Sequence, residues 1–134
     1  MSVFEKIVNG ELPCFKVYED EDFLAFLDIN PKSKGHTLVI PKKCYETIED
    51  IPDLLLQKLI VKVKELSRLI KIKLNAKGFN ICQNNGSVSG QDVPYIHFHI
   101  IPRYEGDSVE KLMVSSYEEK EGGFEEVLKK IKIN

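Results

Sequence analysis

The side chains with the clearest chemical potential in this chain are two histidines separated by one residue, His97 and His99. They lie in an apolar run, residues 95–101, whose composition predicts a β-strand. Side chains alternate between the two faces of a strand, so both imidazoles share one face with Tyr95, at roughly 7 Å intervals. The residues between them form the opposite, apolar face, which is suited to packing on a helix: Ile96, Phe98 and Ile100.

Such a pair of imidazoles is suited to nucleophilic chemistry at phosphorus. An imidazole is a nucleophile at neutral pH when one ring nitrogen is tied to a backbone carbonyl and the other presents its lone pair. A second histidine, if protonated, can bind a non-bridging phosphate oxygen, and the Asn- and Gly-rich loop at residues 84–90 offers backbone N–H donors. The loop does not have the G-x-x-x-x-G-K-[ST] spacing of a phosphate-binding loop, so this hypothesis depends on the histidines.

A metal site is the alternative interpretation of the same residues. His97 and His99 on one strand, with His36 from another, have the donor set of a three-histidine zinc or iron site with an open position. Nothing in their spacing excludes it.

Turn signals and periodicity predict the elements that position these residues. Ser2 and Glu5 have the spacing of a capping box, which predicts a short N-terminal helix through Val8. Strands are predicted at residues 15–18, 23–28, 36–40 and 79–83, and apolar residues at helical spacing predict a long central helix over about residues 53–75. With hairpin-length connections, the pattern is typical of an α+β fold, a five-stranded, mostly antiparallel sheet covered by the long helix.

Three apolar residues of the central helix, Leu54, Val61 and Ile72, fall on the side opposite its buried face. Isolated surface hydrophobic residues are ordinary, so these are either plain surface or a contact between two copies of the chain.

Composition limits the class of protein. At 134 residues and 15.4 kDa the chain fits a single domain, residues 1–134, with a charge-rich tail from about residue 107. A net charge of −2 leaves no broad basic surface for nucleic acid, and no apolar run is long enough to cross a membrane. The three separated cysteines indicate neither disulfides nor a thiolate metal site, so we expect a soluble cytoplasmic protein.

The chain from Val3 to about Tyr104 resembles the histidine triad family, in the branch that includes nucleoside phosphoramidate hydrolases, and four ordered stretches carry the resemblance. They are FEKIVNGELP at residues 4–13, AFLDINP at 25–31, GHTLVIPK at 35–42, and residues 90–104, which begin with Gly-Gln and end IIPRY. The resemblance implies a homodimer whose two sheets join into one, with a purine nucleotide in a cleft of each subunit. It also implies nucleotidyl transfer to the middle histidine of the triad followed by hydrolysis, with no cofactor.

Roles for individual residues are carried over from this resemblance. His97 matches the nucleophile, His99 the histidine that contacts phosphate, and His36 an auxiliary histidine that holds the nucleophilic imidazole. Asp28 matches the acid that binds the ribose hydroxyls. The remaining nucleotide-binding positions are an apolar wall for the base, Val3, Phe4, Phe26 and Ile29, and residues near the phosphate, Asn84, Gly90, Gln91 and Asp92.

Two positions depart from the family pattern. Tyr95 replaces the first histidine of the triad. Unlike an imidazole, a phenol cannot readily shuttle protons or carry positive charge at pH 7. Asp92 replaces a hydroxyl residue that helps to bind phosphate, and an ionised carboxylate there would repel the phosphate unless it turns away or shares a proton. These departures leave a nucleotide-binding module with little turnover as an alternative to an enzyme.

Overall fold

A computed structural model describes residues 1–108, 110 and 117–134. Its strands are β1 Lys16–Glu19, β2 Phe23–Leu27, β3 Thr37–Pro41, β4 Gly78–Gln83 and β5 Phe98–Arg103. They form one sheet in the order β1-β2-β3-β5-β4, in which every neighbouring pair is antiparallel. The helices are α1 Val3–Val8, α2 Asp53–Lys73 and α3 Gly123–Ile131, and Ser87–Ser89 form a short 3-10 turn. The predicted α+β class with a short N-terminal and a long central helix is confirmed.

The sheet is covered on both faces. One face packs against α2 and α3, where Ile96, Phe98 and Ile100 join a large apolar cluster with Leu59 and Val63 of α2. The opposite face carries a smaller cluster of six buried residues: Phe4, Leu24, Phe26, Leu38, Ile40 and Tyr95. The alternation predicted for residues 95–100 therefore holds, because Ile96, Phe98 and Ile100 lie in the first cluster, whereas Tyr95 lies in the second and both histidines border a cleft.

Helix α1, which packs on the second face, begins with its predicted cap. The backbone N–H of Ser2 donates to Glu5 Oε1 at 3.0 Å, and the backbone N–H of Glu5 donates to Ser2 Oγ at 3.2 Å. These reciprocal bonds satisfy donors that a helix N-terminus otherwise leaves free. The helix places Phe4 edge-on to Phe26, with ring centroids 5.5 Å apart.

The strand predicted to carry both histidines begins later than predicted, so that only His99 lies within it. It spans Phe98–Arg103 rather than residues 95–101, because the N–H groups before it bond elsewhere: Tyr95 to Val93 O and Ile96 to Tyr45 O. Pro102 lies inside the strand instead of ending it. Strand β3 pairs only with residues as far as Ile100, so the rest of β5 is an edge on that side, where a missing N–H removes no ladder bond.

Two other predicted site residues lie just outside strand ends. Asp28 follows β2 and His36 precedes β3, and the two strands are joined there by a bond from Asp28 N–H to the His36 carbonyl, at 2.9 Å. The N-terminal end of β3 and the C-terminal end of β2 therefore present an acid and an imidazole side by side.

The predicted tail from about residue 107 includes residues 109 and 111–116, which lie outside the described residues. Beyond them, the Tyr117 N–H donates to the Pro31 carbonyl, and Val127 and Ile131 of α3 are buried in the cluster under α2. None of the helices in the described part of the chain combines the length and the apolar composition needed to span a bilayer.

Candidate active site

The backbone determines which nitrogen of His97 carries its proton. Nδ1 lies 2.7 Å from the Tyr95 carbonyl oxygen, which can only accept, so Nδ1 bears the hydrogen and donates it. In the neutral ring Nε2 then has a free lone pair. The side chain is buried but borders a cleft, and the Phe4 ring packs edge-on against the imidazole at 5.0 Å. This is the orientation that a nucleophilic imidazole requires.

A second chain of hydrogen bonds orients the other two histidines. The Lys32 N–H donates to His36 Nδ1 at 2.9 Å, so in the neutral ring the proton of His36 is on Nε2. That nitrogen is 2.9 Å from His99 Nδ1, which must accept. The proton of neutral His99 therefore lies on Nε2, and this residue also borders the cleft.

The partner predicted for His36 is wrong. We expected His36 to hold the nucleophilic imidazole, but both of its nitrogens are engaged, one by Lys32 N–H and the other by His99. His36 orients the neighbouring imidazole instead, and the ring of His97 is held by its own main chain. The reason is the turn at residues 32–36, which places His36 beside the His99 end of the pair.

Burial keeps these two rings neutral. Burial, assisted by the neighbouring histidines, lowers the pKa of His36 to about 3 and that of His99 to about 4. At pH 7 His99 is consequently a neutral hydrogen-bond donor, not the protonated group that the sequence hypothesis allowed. Burial also raises the pKa of Asp28, whose Oδ1 accepts from Asn30 N–H and whose Oδ2 is 3.5 Å from His36 Nε2.

The cleft beside the imidazoles has a volume of about 330 Å³. Its lining includes eight of the predicted site residues: Val3, Phe4, Phe26, Asp28, Ile29, Asp92, His97 and His99. Residues that the sequence interpretation did not assign to the cleft also line it: Ile7, Leu12, Pro13, Cys14, Leu27, Asn30, Leu38 and Val93. Most of these are apolar, and no chemical signal distinguishes an apolar cleft wall from core in a sequence.

The loop predicted to donate to phosphate is placed differently. Asn84, Gly90 and Gln91 do not contribute to the cleft lining. A Cβ built on Gly90 would be 3.7 Å from Asn84 Nδ2, so these two residues lie against each other. The Gln91 side chain is committed to the loop itself, accepting from Gly86 N–H and donating to the Glu46 carbonyl, each at 2.7 Å.

The two departures from the family pattern have different surroundings. Tyr95 is fully buried under Phe4, and its hydroxyl donates to the Pro41 carbonyl at 2.5 Å, so the phenol is part of the core rather than of the cleft. Asp92 turns towards the nucleophile, with Oδ1 at 3.4 Å from His97 Nε2 and its side chain 76% exposed.

The structure offers a metal ion a different set of candidate ligands from the one that the sequence predicts. Among the described residues, the group whose ligand atoms lie within 4.8 Å of one another is Asp28, His36 and His99, so the predicted three-histidine set with His97 is wrong. Within that group, His36 Nε2 and His99 Nδ1 already share a hydrogen bond. A metal bound by both nitrogens would have to displace that proton.

An antiparallel α+β fold with a backbone-oriented imidazole beside an apolar cleft is the architecture that the structure gives this protein. The family model described as HIT domain matches residues 9–106. The chain belongs to the HIT, or histidine triad, family.

The similarity to known proteins extends over different shares of their lengths. The chain is 54% identical over 132 residues to an uncharacterized HIT-like protein of Methanocaldococcus jannaschii, covering 98% of this chain and 99% of that protein. It is 45% identical over 105 residues to the adenylylsulfatase HINT3 of Arabidopsis thaliana, covering 78% and 53%. It is 39% identical over 105 residues to the adenosine 5′-monophosphoramidase HNT1 of Candida albicans, covering 75% and 69%.

The fold also matches solved structures. A crystal structure of a hypothetical histidine triad nucleotide-binding protein from Sulfolobus tokodaii superimposes with a TM-score of 0.85 at 38% identity, covering 96% of this chain and 88% of that one. Both the sheet and the helices are thus those of the family.

Proposed function

We propose that this protein hydrolyses purine nucleotidyl compounds through a nucleotidyl-histidine intermediate on His97. Its substrates would be AMP-type phosphoramidates, adenylates or dinucleoside polyphosphates. The observation that carries the proposal is the 2.7 Å contact of His97 Nδ1 with the Tyr95 carbonyl, which leaves the Nε2 lone pair at the cleft. Relatives named adenylylsulfatase and adenosine 5′-monophosphoramidase support a reaction at the phosphorus of an adenylyl group.

The remaining cleft residues fit the parts of a nucleotide. The base lies against Phe4, Phe26, Val3 and Ile29, and the Asp28 carboxylate accepts from the ribose hydroxyls. His97 Nε2 bonds to phosphorus as the leaving group departs, and the neutral His99 donates its Nε2–H to a phosphate oxygen. Water then attacks phosphorus, the P–Nε2 bond breaks, and the nucleoside monophosphate is released.

The test is a search for the covalent intermediate. Protein incubated with an AMP phosphoramidate and quenched in base should carry an adenylate adduct, which tandem mass spectrometry should place on His97 rather than His99. His97→Ala should lose the adduct and reduce turnover on the order of a thousandfold or more, because the nucleophile is removed. AMP affinity by calorimetry should fall only modestly, and reactions run in EDTA should proceed equally well.

The alternative, a nucleotide-binding module with little turnover, is supported by the position of Asp92. Its carboxylate stands 3.4 Å from the nucleophilic nitrogen, close to where a phosphate must lie. For a binding module, His97→Ala would change neither the low turnover nor AMP affinity, and no adduct would form. Loss of activity in EDTA with recovery on adding metal would instead favour a metal site.

We further propose a homodimer in which two sheets join edge to edge at β4. Strands β1 and β4 form the edges of the sheet. The outer edge of β1 is occupied by the C-terminus, where Ile133 N–H donates to the Val17 carbonyl and the Asn134 side-chain amide bonds to Glu19. Edge β4 exposes Phe79 and Ile81, 37% and 42% accessible.

The free thiols of Cys14, Cys44 and Cys82 suit the proposed cytoplasmic location.

A further inference from the structure

The charge of the cleft wall is unfavourable to a bound phosphate. Over residues 1–108, 110 and 117–134, the cleft lining contains two carboxylates, Asp28 and Asp92, and neither lysine nor arginine. His99, which also lines the cleft, is neutral at pH 7 because burial lowers its pKa to about 4. A phosphate in the cleft therefore meets hydrogen-bond donors without a lysine or arginine to balance its charge.

Asp92 lies on the nucleophile's side of the reacting phosphorus. Its Oδ1 is 3.4 Å from His97 Nε2, the nitrogen that the proposed reaction joins to phosphorus. Phosphorus must come within about 3–3.5 Å of that nitrogen before the bond forms. While the side chain keeps its position, Asp92 Oδ1 is thus at most about 7 Å from phosphorus, in the substrate before attack and in the product before release.

Substrate and product differ in the charge at this phosphorus. In each proposed substrate, phosphorus carries the nucleoside ester and the leaving group, so it has a single negative charge. Hydrolysis of the nucleotidyl-histidine puts the oxygen of water on phosphorus, returns the electron pair of the P–Nε2 bond to His97 and releases both protons of water to solvent. The product is a phosphomonoester whose second ionisation has a pKa of about 6, so at pH 7 it is mostly a dianion.

We propose that Asp92 is a specificity-determining residue that distinguishes the dianionic product from the monoanionic substrate and thereby promotes product release. This inference rests on the proposed nucleotidyl hydrolysis and is independent of the leaving group. The carboxylate repels both ligands, but the product carries one more negative charge at phosphorus than the substrate does. Asp92 therefore weakens binding of the product more than binding of the substrate.

The exposure of Asp92 determines the size of the effect. Its side chain is 76% exposed, so water weakens the repulsion without abolishing it. An interaction between exposed charges changes a binding constant by about threefold for each unit of charge. The substrate should therefore lose about threefold in affinity and the product about tenfold. Such a carboxylate is a handicap for a protein that only binds nucleotides and an advantage for an enzyme that must release AMP.

Calorimetry at pH 7 with two ligands that differ by one charge tests this discrimination. AMP is the dianion, and adenosine 5′-methyl phosphate has the same nucleoside with one negative charge, and its methoxide is too poor a leaving group for rapid turnover. In Asp92→Asn, which keeps the shape of the side chain, we expect AMP to bind about tenfold tighter and the methyl ester about threefold tighter. The contribution of the methyl group cancels, because each ligand is compared between the protein and the variant.

Glu11→Gln is the matched control, since it removes an equal charge at an exposed position outside the cleft lining and should leave both affinities unchanged. Equal tightening of the two ligands in Asp92→Asn, or no change in either, would overturn the proposal, because the carboxylate would then not sense the charge at phosphorus. A protein that binds both ligands but hydrolyses no adenosine phosphoramidate would refute the proposed function and leave this comparison decisive. If neither the protein nor the variant binds AMP, both proposals fail.

Discussion

Main-chain groups determine the proton positions of all three histidines. A carbonyl can only accept and an N–H can only donate, so the Tyr95 carbonyl and the Lys32 N–H each fix a tautomer without help from an ionised side chain. His36 in turn donates its Nε2–H to His99 Nδ1, which fixes the tautomer of His99. The free lone pair of neutral His97 and the N–H that neutral His99 presents are therefore set by the fold.

The depressed histidine pKa values make stability depend on pH. His36 and His99 have folded-state pKa values of about 3 and 4, below the value of about 6.5 in an unfolded chain, so between these limits the unfolded state binds more protons. The free energy of unfolding is therefore greatest above about pH 6.5. It should fall by several kcal/mol as the pH drops from about 6.5 to 4.

Urea unfolding at several pH values measures this slope. His36→Gln removes one of the two histidines whose pKa is lowered on folding, so the variant's free energy of unfolding should depend less steeply on pH. The raised pKa of Asp28 acts in the opposite direction, since a carboxyl that prefers its protonated form is favoured as the pH falls. An equal slope in the variant would contradict the burial of His36 as a neutral ring.

Among the elements that position the site, the turn before β3 has a tight steric requirement. Gly35 has φ +86°, and a Cβ added there would be 2.3 Å from Leu74 Cδ1, at the end of α2. The turn thus touches the long helix directly while it delivers His36 to the site. Glycine is needed here both for its positive φ and for the contact.

Gly35→Ala should lower the free energy of unfolding by about 2 kcal/mol or more, combining the positive φ with the clash. The matched control is Gly10→Ala, where φ is +80° but no atom lies within 4 Å of the added Cβ. Thermal and urea unfolding should show a clearly smaller loss for Gly10→Ala, of about 1 kcal/mol. Equal losses in the two variants would show that the contact with Leu74 is relieved at no cost.

For the whole molecule, the β4 edge of the sheet and the exposed side of α2 offer two different surfaces for a second copy. Leu54, Val61 and Ile72 are indeed exposed, as their helical phase predicts. Leu54 and Val61 border a groove shared with Asp20 and Asp22, on the side of the β1–β2 hairpin. Strand β4 is at the sheet edge opposite that hairpin, so the groove at Leu54 and Val61 and the β4 edge are separate candidates for a dimer contact.

Single lysine substitutions, one on each surface, distinguish these two candidate dimer contacts. Ile81→Lys on β4 should shift the protein from dimer to monomer in sedimentation, because it places charge at the joined edge. Val61→Lys changes a residue of similar exposure, 52% against 42%, and should leave a dimer. The reverse result would assign the dimer to α2, and a monomeric parent protein would refute both surfaces.

Short-range patterns were sufficient to predict much of this protein. The capping box of Ser2 and Glu5, the alternation through His97 and His99 and the phase of α2 depend on residues a few positions apart. Strand ends were predicted less well, as in β5, because they depend on where a partner strand ends and on where each N–H finds its acceptor.

The sequence by itself determined the α+β class and the opposite faces of the residues around His97 and His99, since both follow from local chemistry and periodicity. The tertiary structure alone decided that His36 orients His99, that Tyr95 belongs to the core and that Asp92 faces His97. Two of these contacts join residues 54 and 63 positions apart, and the third depends on a loop's exact path. Such contacts arise only when the strands pair and the chain closes on itself, which no local pattern encodes.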